Sequence, residues 1–92
     1  MLYTAKCFWP GITEDALRDA AARAVETQLR ERAVFRGVLY LPGDELALCL
    51  FDADSPAAAK RASEQAGMPC ERVIESVWLG RAGEATEGGA RT

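Results

Sequence analysis

Apolar and small residues alternate with polar ones at the start of the chain, where Tyr3, Ala5, Cys7 and Trp9 share one side of the run Leu2–Trp9 before Pro10-Gly11 interrupts it. A two-residue period is that of a strand, and a Pro-Gly pair marks a turn. The period then changes. Thr13 has the side chain of an N-cap, Glu14 and Asp15 place negative charge where a helix dipole favours it, and Leu17, Ala21, Ala24, Val25 and Leu29 fall on one helical face. The pairs Glu14/Arg18, Asp19/Arg23 and Glu26/Arg30, acid first and four apart, belong to the solvated side of that helix, each adding about 0.3 kcal/mol.

Two further strand-like segments, Ala33–Leu41 and Glu45–Phe51, flank Pro42-Gly43-Asp44 and predict a β-hairpin. Ser55-Pro56 supplies an N-cap and a first-turn proline for a second helix over Ala57–Ala66, which Gly67 stops and Pro69 keeps from continuing. The inward stripe of this helix, Ala59, Ala62 and Ala66, lets its backbone lie close to the sheet but buries little surface. Arg72–Leu79 predicts the last strand. From Gly80 on there is neither a large apolar residue nor a period to offset ordering entropy, so the expected organisation is a domain over residues 1–79 and a flexible tail over residues 80–92.

The order strand, helix, strand, strand, helix, strand predicts an α+β, ferredoxin-like βαββαβ sandwich: a four-stranded antiparallel sheet with two helices on one face. In the third strand both alternation sets are apolar, Leu46, Leu48 and Leu50 on one side and Ala47, Cys49 and Phe51 on the other. The last strand repeats this with Val73, Val77 and Leu79 against Ile74 and Trp78. Helices cover only one face, so the other needs a second layer. A second copy laying its sheet on this one would supply it, and any gap between the sheets would become a pocket. Size points the same way, since a domain this small buries only about 60–65% of its unfolded surface and gains from forming a homodimer.

Composition narrows the chemistry. With a net charge of −3, a pI near 4.9 and no Lys/Arg cluster, the chain repels phosphate backbones, which excludes nucleic acid as a partner. No run approaches the roughly 18–20 apolar residues that span a bilayer, and no basic, then apolar, leader opens the chain, so no membrane association and a cytoplasmic location are expected. Three widely spaced cysteines read as thiols of a reducing compartment. Histidine is absent, which excludes Ser-His-Asp, Cys-His and zinc-finger chemistry, and no Cys-x-x-Cys, Gly-x-Gly-x-x-Gly or phosphate loop is present.

The remaining candidates are few. Cys7 and Cys49 belong to strands that neighbour one another in this fold; they would hold a soft metal or a redox site if they share a face, and are small core residues otherwise. Trp9, Tyr40 and Trp78 are large surfaces with polar tips, suited to lining an aromatic-ligand pocket or to filling a core or dimer seam. Glu75 alternates with Val73 and Val77; pointing inward it would donate or accept a proton, and pointing outward it is a solvated or ion-paired carboxylate.

Trp9-Pro10-Gly11-Ile12-Thr13, Cys49-Leu50-Phe51-Asp52-Ala53 and Ala66-Gly67-Met68-Pro69 through Val73 and Glu75 resemble, at matching spacing from about Tyr3 to Leu79, the small nickel-binding ferredoxin-like family otherwise labelled a domain of unknown function. The resemblance implies a homodimeric sandwich and, in members with histidine, metal sites near the sheet and second helix. Four residues before its Ala-Gly, where those members have histidine, this chain has Ala62, so a metal ion would fall to Cys7 with Cys49 or Glu75. Trp9, Tyr40 and Trp78 in place of polar ligands imply an apolar space between sheets. The function expected is a homodimeric binding protein that takes a small organic ligand on its open sheet face, with Trp9, Tyr40, Glu75 and Trp78 as lining, or a metal ion at Cys7 and Cys49. The alternatives are a cofactor-free enzyme resembling small monooxygenases or cyclases, in which Glu75 or Tyr40 moves a proton on an aromatic intermediate, and a structural or regulatory dimer with a filled interface.

Overall fold

A computed structural model describes residues 1–80 and Ala82. Its elements are β1 (Leu2–Phe8), α1 (Glu14–Glu31), β2 (Ala33–Leu41), β3 (Leu46–Ala53), α2 (Pro56–Gln65) and β4 (Arg72–Ser76), with one 3₁₀ turn at Pro42–Asp44. The strands form one antiparallel sheet in the order β2-β3-β1-β4. This is the ferredoxin-like α+β sandwich. No described helix is long and apolar enough to cross a membrane.

The caps act as their residue types require. Thr13 Oγ1 accepts from Ala16 N at 3.1 Å and Ser55 Oγ from Ala58 N at 3.1 Å, satisfying backbone donors at the start of each helix. Arg32, in the left-handed region at φ 58°, ends α1 without a glycine to announce it. Gly67 ends α2 at φ +85°, and a Cβ there would stand 3.1 Å from the Arg23 guanidinium, so the position favours glycine on both counts.

Several boundaries differ from the pattern-based expectation. The hairpin turn is a 3₁₀ turn closed by Glu45 at φ 54°, which moves the start of β3 to Leu46. Glu45 binds the chain where β1 ends: its carbonyl accepts from Trp9 N at 2.8 Å, one position past the Phe8–Leu46 rung, and its carboxylate from Gly11 N at 2.9 Å. β4 stops at Ser76 because it pairs only with β1, whose Leu2 is the last rung opposite it. Val77, Trp78 and Leu79 therefore lie beyond the strand and are exposed. Of the expected tail, residues 81 and 83–92 lie outside the described residues.

The buried face of α1 is also rotated. Leu17, Ala20 and Ala24 are buried, whereas Val25 is half exposed and Leu29 is 91% exposed. Small alanines let the helix settle close to the sheet, and that contact turns the bulkier residues to solvent. Of the three expected ion pairs only Glu14–Arg18 forms, at 2.6 Å; Arg23 instead donates to the Ala66 carbonyl at 2.9 Å, tying α1 to the end of α2, and Arg30 turns to Glu31 at 3.8 Å. Ten of the sixteen buried apolar residues among those described are alanine. Tyr3, Leu17, Phe51 and Met68 consequently carry most of the large-side-chain burial.

Candidate functional site

Strand register settles which side of β3 meets the helices. Ala5 faces Cys49, Cys7 faces Ala47 and Tyr3 faces Phe51 across β1 and β3, and all six are buried. Directly opposed residues share a face. Leu46, Leu48 and Leu50 therefore belong to the open face, with Leu2, Thr4, Lys6 and Phe8 of β1, Leu39 and Leu41 of β2 and Ile74 of β4. Leu48 is central, opposed by Lys6 on one side and Leu39 on the other. Phe8, Leu39 and Ile74 are exposed.

One end of this face is concave. Leu2, Leu50 and Trp78 form the apolar lining of a groove of about 470 Å³, with Arg36 and Asp52 as its polar members. Arg36 arrives there because a β-bulge between Phe35 and Gly37 inserts it as an extra residue in β2. Its Nε lies 2.9 Å from Asp52 Oδ2, and the amino group of Met1 lies 3.7 Å from Asp52 Oδ1. The hydrogen bond from Arg36 holds the Asp52 carboxyl below its ordinary value.

Beneath α2, on the opposite face, sulfur atoms converge. Cys7 and Cys49 occupy diagonal positions on the paired strands and are both fully buried. The Cys49 thiol donates to Met68 Sδ at 3.3 Å, and Cys7 Sγ lies 3.5 Å from Ser63 Oγ. Ser63 and Met68 are themselves fully buried and locked together, Ser63 Oγ donating to the Met68 carbonyl at 3.0 Å and Met68 N to the Ser63 carbonyl at 2.9 Å. The two thiols titrate in opposite directions. The neighbouring Cys49 thiol, and then the Ser63 hydroxyl, hold Cys7 below the ordinary thiol value, while the Cys7 thiol together with burial pushes Cys49 well above it.

Cys70 stands apart, half-buried in a shallow groove with Phe8, Glu64, Pro69 and Glu71. Burial, reinforced by Cys7 and Glu64, pushes its thiol from the ordinary 9.0 up to about 11. At pH 8 its thiolate fraction is then about a hundredfold smaller than that of a free cysteine, half of which, on a logarithmic scale, is recovered by the greater nucleophilicity of a more basic thiolate. The expected result is alkylation by iodoacetamide about tenfold slower than for a model thiol at pH 8, rising with pH until about 11, read by mass spectrometry of the native protein.

The sheet separates the aromatic candidates. Tyr40 lies on the helix side opposite Ala47, its hydroxyl donating to the Ile12 carbonyl at 3.0 Å, and Trp9 packs against the core. Trp78 lines the groove of the open face. Glu75 is the register partner of Tyr3 and so shares the helix-side face, but on edge strand β4 it is exposed and lacks the apolar surroundings expected of an inward carboxylate. Cys7 and Cys49, by contrast, are brought to one face. Arg36, Asp52, Ser63 and Met68 escaped sequence reasoning: a bulge leaves no period to read, and a methionine between Gly67 and Pro69 looks like a loop residue.

The sequence matches, over residues 5–75, the family described as nickel responsive protein SCO4226-like. No curated protein matches. Among solved structures, SCO4226 from Streptomyces coelicolor A3(2) is similar in fold, with a TM-score of 0.75 and 22% identity over 87% of this chain and 100% of that one. The family match spans well over half of the 92 residues and coincides with the sandwich from β1 to β4, so the chain belongs to the SCO4226-like family of nickel-responsive proteins.

Proposed function

We propose that this protein is a homodimer joined through its open sheet face, and that the groove of Leu2, Leu50, Trp78, Arg36 and Asp52 becomes an enclosed site for a small organic ligand. The observation that carries the reading is the apolar open face, centred on Leu48 and continued by exposed Val77, Trp78 and Leu79. Four strands about 4.8 Å apart and roughly 27 Å long present about 500 Å² in plan. Side-chain relief and the Val77–Leu79 segment bring that toward the roughly 800 Å² per partner of a stable interface. A ligand with an apolar or aromatic body would lie on Leu2, Leu50 and Trp78 and place a polar group at Arg36.

Family membership makes nickel the metal to weigh. The chain has no histidine, and among the described residues no group of three His, Cys, Asp or Glu side chains is placed to hold an ion. That donor set does not fit nickel(II). Tyr40 and Glu75 lie on the two opposite edge strands, so the geometry offers an enzymatic reading no shared centre.

Native mass spectrometry of the full chain, purified without chelators, tests the reading. A dimer retaining an organic mass is expected. A bare dimer would remove the ligand and leave a structural role, and a monomer at micromolar concentration would overturn both parts.

A further inference from the structure

We propose that Cys7, Cys49 and Met68 form a buried three-sulfur site for one monovalent copper ion. The site lies on the helix side of the sheet, so it is independent of the proposed dimer and groove. Its ligands come from three elements: Cys7 from β1, Cys49 from β3 and Met68 from the turn after α2. All three are fully buried, and Cys49 Sγ and Met68 Sδ are already 3.3 Å apart. Cys7 and Cys49 are diagonal neighbours on the same face of two paired strands, and Cys7 Sγ joins the cluster through Ser63 Oγ, 3.5 Å away, whose hydroxyl is bonded to the Met68 carbonyl.

The donor set selects the ion. Two thiols and a thioether are soft, and soft ligands favour Cu(I) over the borderline divalent metals that imidazole would hold. Buried alanines, Ala5, Ala47, Ala59 and Ala62 among them, surround the core on these elements and bring no hard oxygen or nitrogen side chain to compete. Ser63 is the exception and has a supporting part. Its hydroxyl, now donating to the Met68 carbonyl, lies 3.5 Å from Cys7 Sγ and can turn its one proton to a thiolate there.

Met68 is a held ligand. Its own N–H is bonded to the Ser63 carbonyl, the preceding Gly67 N to the Glu64 carbonyl at 2.9 Å, and Arg23 anchors the Ala66 carbonyl, so three hydrogen bonds pin the turn over the thiols. Binding involves no redox change. Cu(I) forms bonds to the two cysteine sulfurs as their S–H bonds break, two protons leave to solvent, and the neutral Met68 sulfur donates a third electron pair. The complex carries one net negative charge, which the Ser63 hydroxyl faces.

The test is anaerobic titration of the full chain with Cu(I) supplied as its acetonitrile complex, read by competition with bicinchoninate and by native mass spectrometry. One copper per chain with a mass deficit of two protons is expected, and copper-edge X-ray absorption should show sulfur neighbours alone. Met68→Leu keeps an apolar side chain of similar volume and should fold, as circular dichroism will show, while weakening copper binding at least tenfold. Cys70→Ser should leave affinity and stoichiometry unchanged. No copper retained by the folded full chain, wild-type affinity in Met68→Leu, or loss of the ion in Cys70→Ser would each overturn the assignment.

Discussion

Leu48→Glu is expected to convert the proposed dimer to a monomer, weakening association at least about a thousandfold. Leu48 sits at the centre of the open face, between Lys6 and Leu39, so a two-fold interface built on this face buries it twice. Each glutamate would have to leave water for an apolar seam. Even a net cost of about 2 kcal/mol per carboxylate, the low end of the range for a buried charge, sums to about 4 kcal/mol, or about three decades in the dissociation constant. Lys6 lies beside the site and is already 3.8 Å from Glu71, which limits how far it can compensate.

Because this side chain points away from the helices, the variant's secondary structure should remain that of the parent. Sedimentation equilibrium and circular dichroism on the same sample check both halves. Leu29→Glu is the matched control: Leu29 is 91% exposed on α1, far from the open face, and should leave the dimer intact. A Leu48→Glu protein that still sediments as a dimer would place the interface elsewhere and dissolve the enclosed groove with it.

Phe51→Ala has the other large expected effect, a loss of about 3–5 kcal/mol of folding stability. Phe51 is the largest fully buried side chain among the described residues, and its ring meets that of Phe35 at 5.4 Å and 59°. Its neighbours in the core are mostly alanines, which have no rotamers with which to fill a cavity, so relaxation recovers little of the lost packing. For a domain of this size the total is only about 5–14 kcal/mol, so the variant should lose a large share of its stability. Urea denaturation should show a lower midpoint at an unchanged slope. A loss below about 1 kcal/mol would mean that Phe51 does not hold the sandwich together.

How much of this was legible depends on whether the signal is local. The βαββαβ order could be read because each element carries its own period and stops: Thr13 and Ser55 as N-caps, Pro56 inside the first turn of α2, and Gly67 at its end. The two-sided apolar character of β3 was equally legible, since alternation sorts Leu46, Leu48 and Leu50 from Ala47, Cys49 and Phe51 without reference to another strand. Family membership too was visible in short segments around Pro10-Gly11, Cys49 and Gly67-Met68-Pro69, and the match over residues 5–75 bears it out.

The candidate sites were only half legible. Cys7 and Cys49 could be named from their strands, but alternation within one strand says nothing about its phase relative to the next, and only the rung Ala5–Cys49 puts both thiols on the helix side. Trp9, Tyr40 and Trp78 looked alike in the sequence, yet the sheet puts Tyr40 behind it and Trp78 in front.

By itself, then, the sequence determined the element order, the caps, the two apolar sides of β3 and the kinds of chemistry the chain lacks, because these depend on residue type and on neighbours within one turn or strand. Only the tertiary structure decided which face each side chain serves. The diagonal placement of Cys7 and Cys49, the approach of Met68 from the turn after α2, and the reach of Arg36 from a bulge to Asp52 each join residues far apart in the chain. Their distances are set by strand register and close helix packing, which no local period encodes.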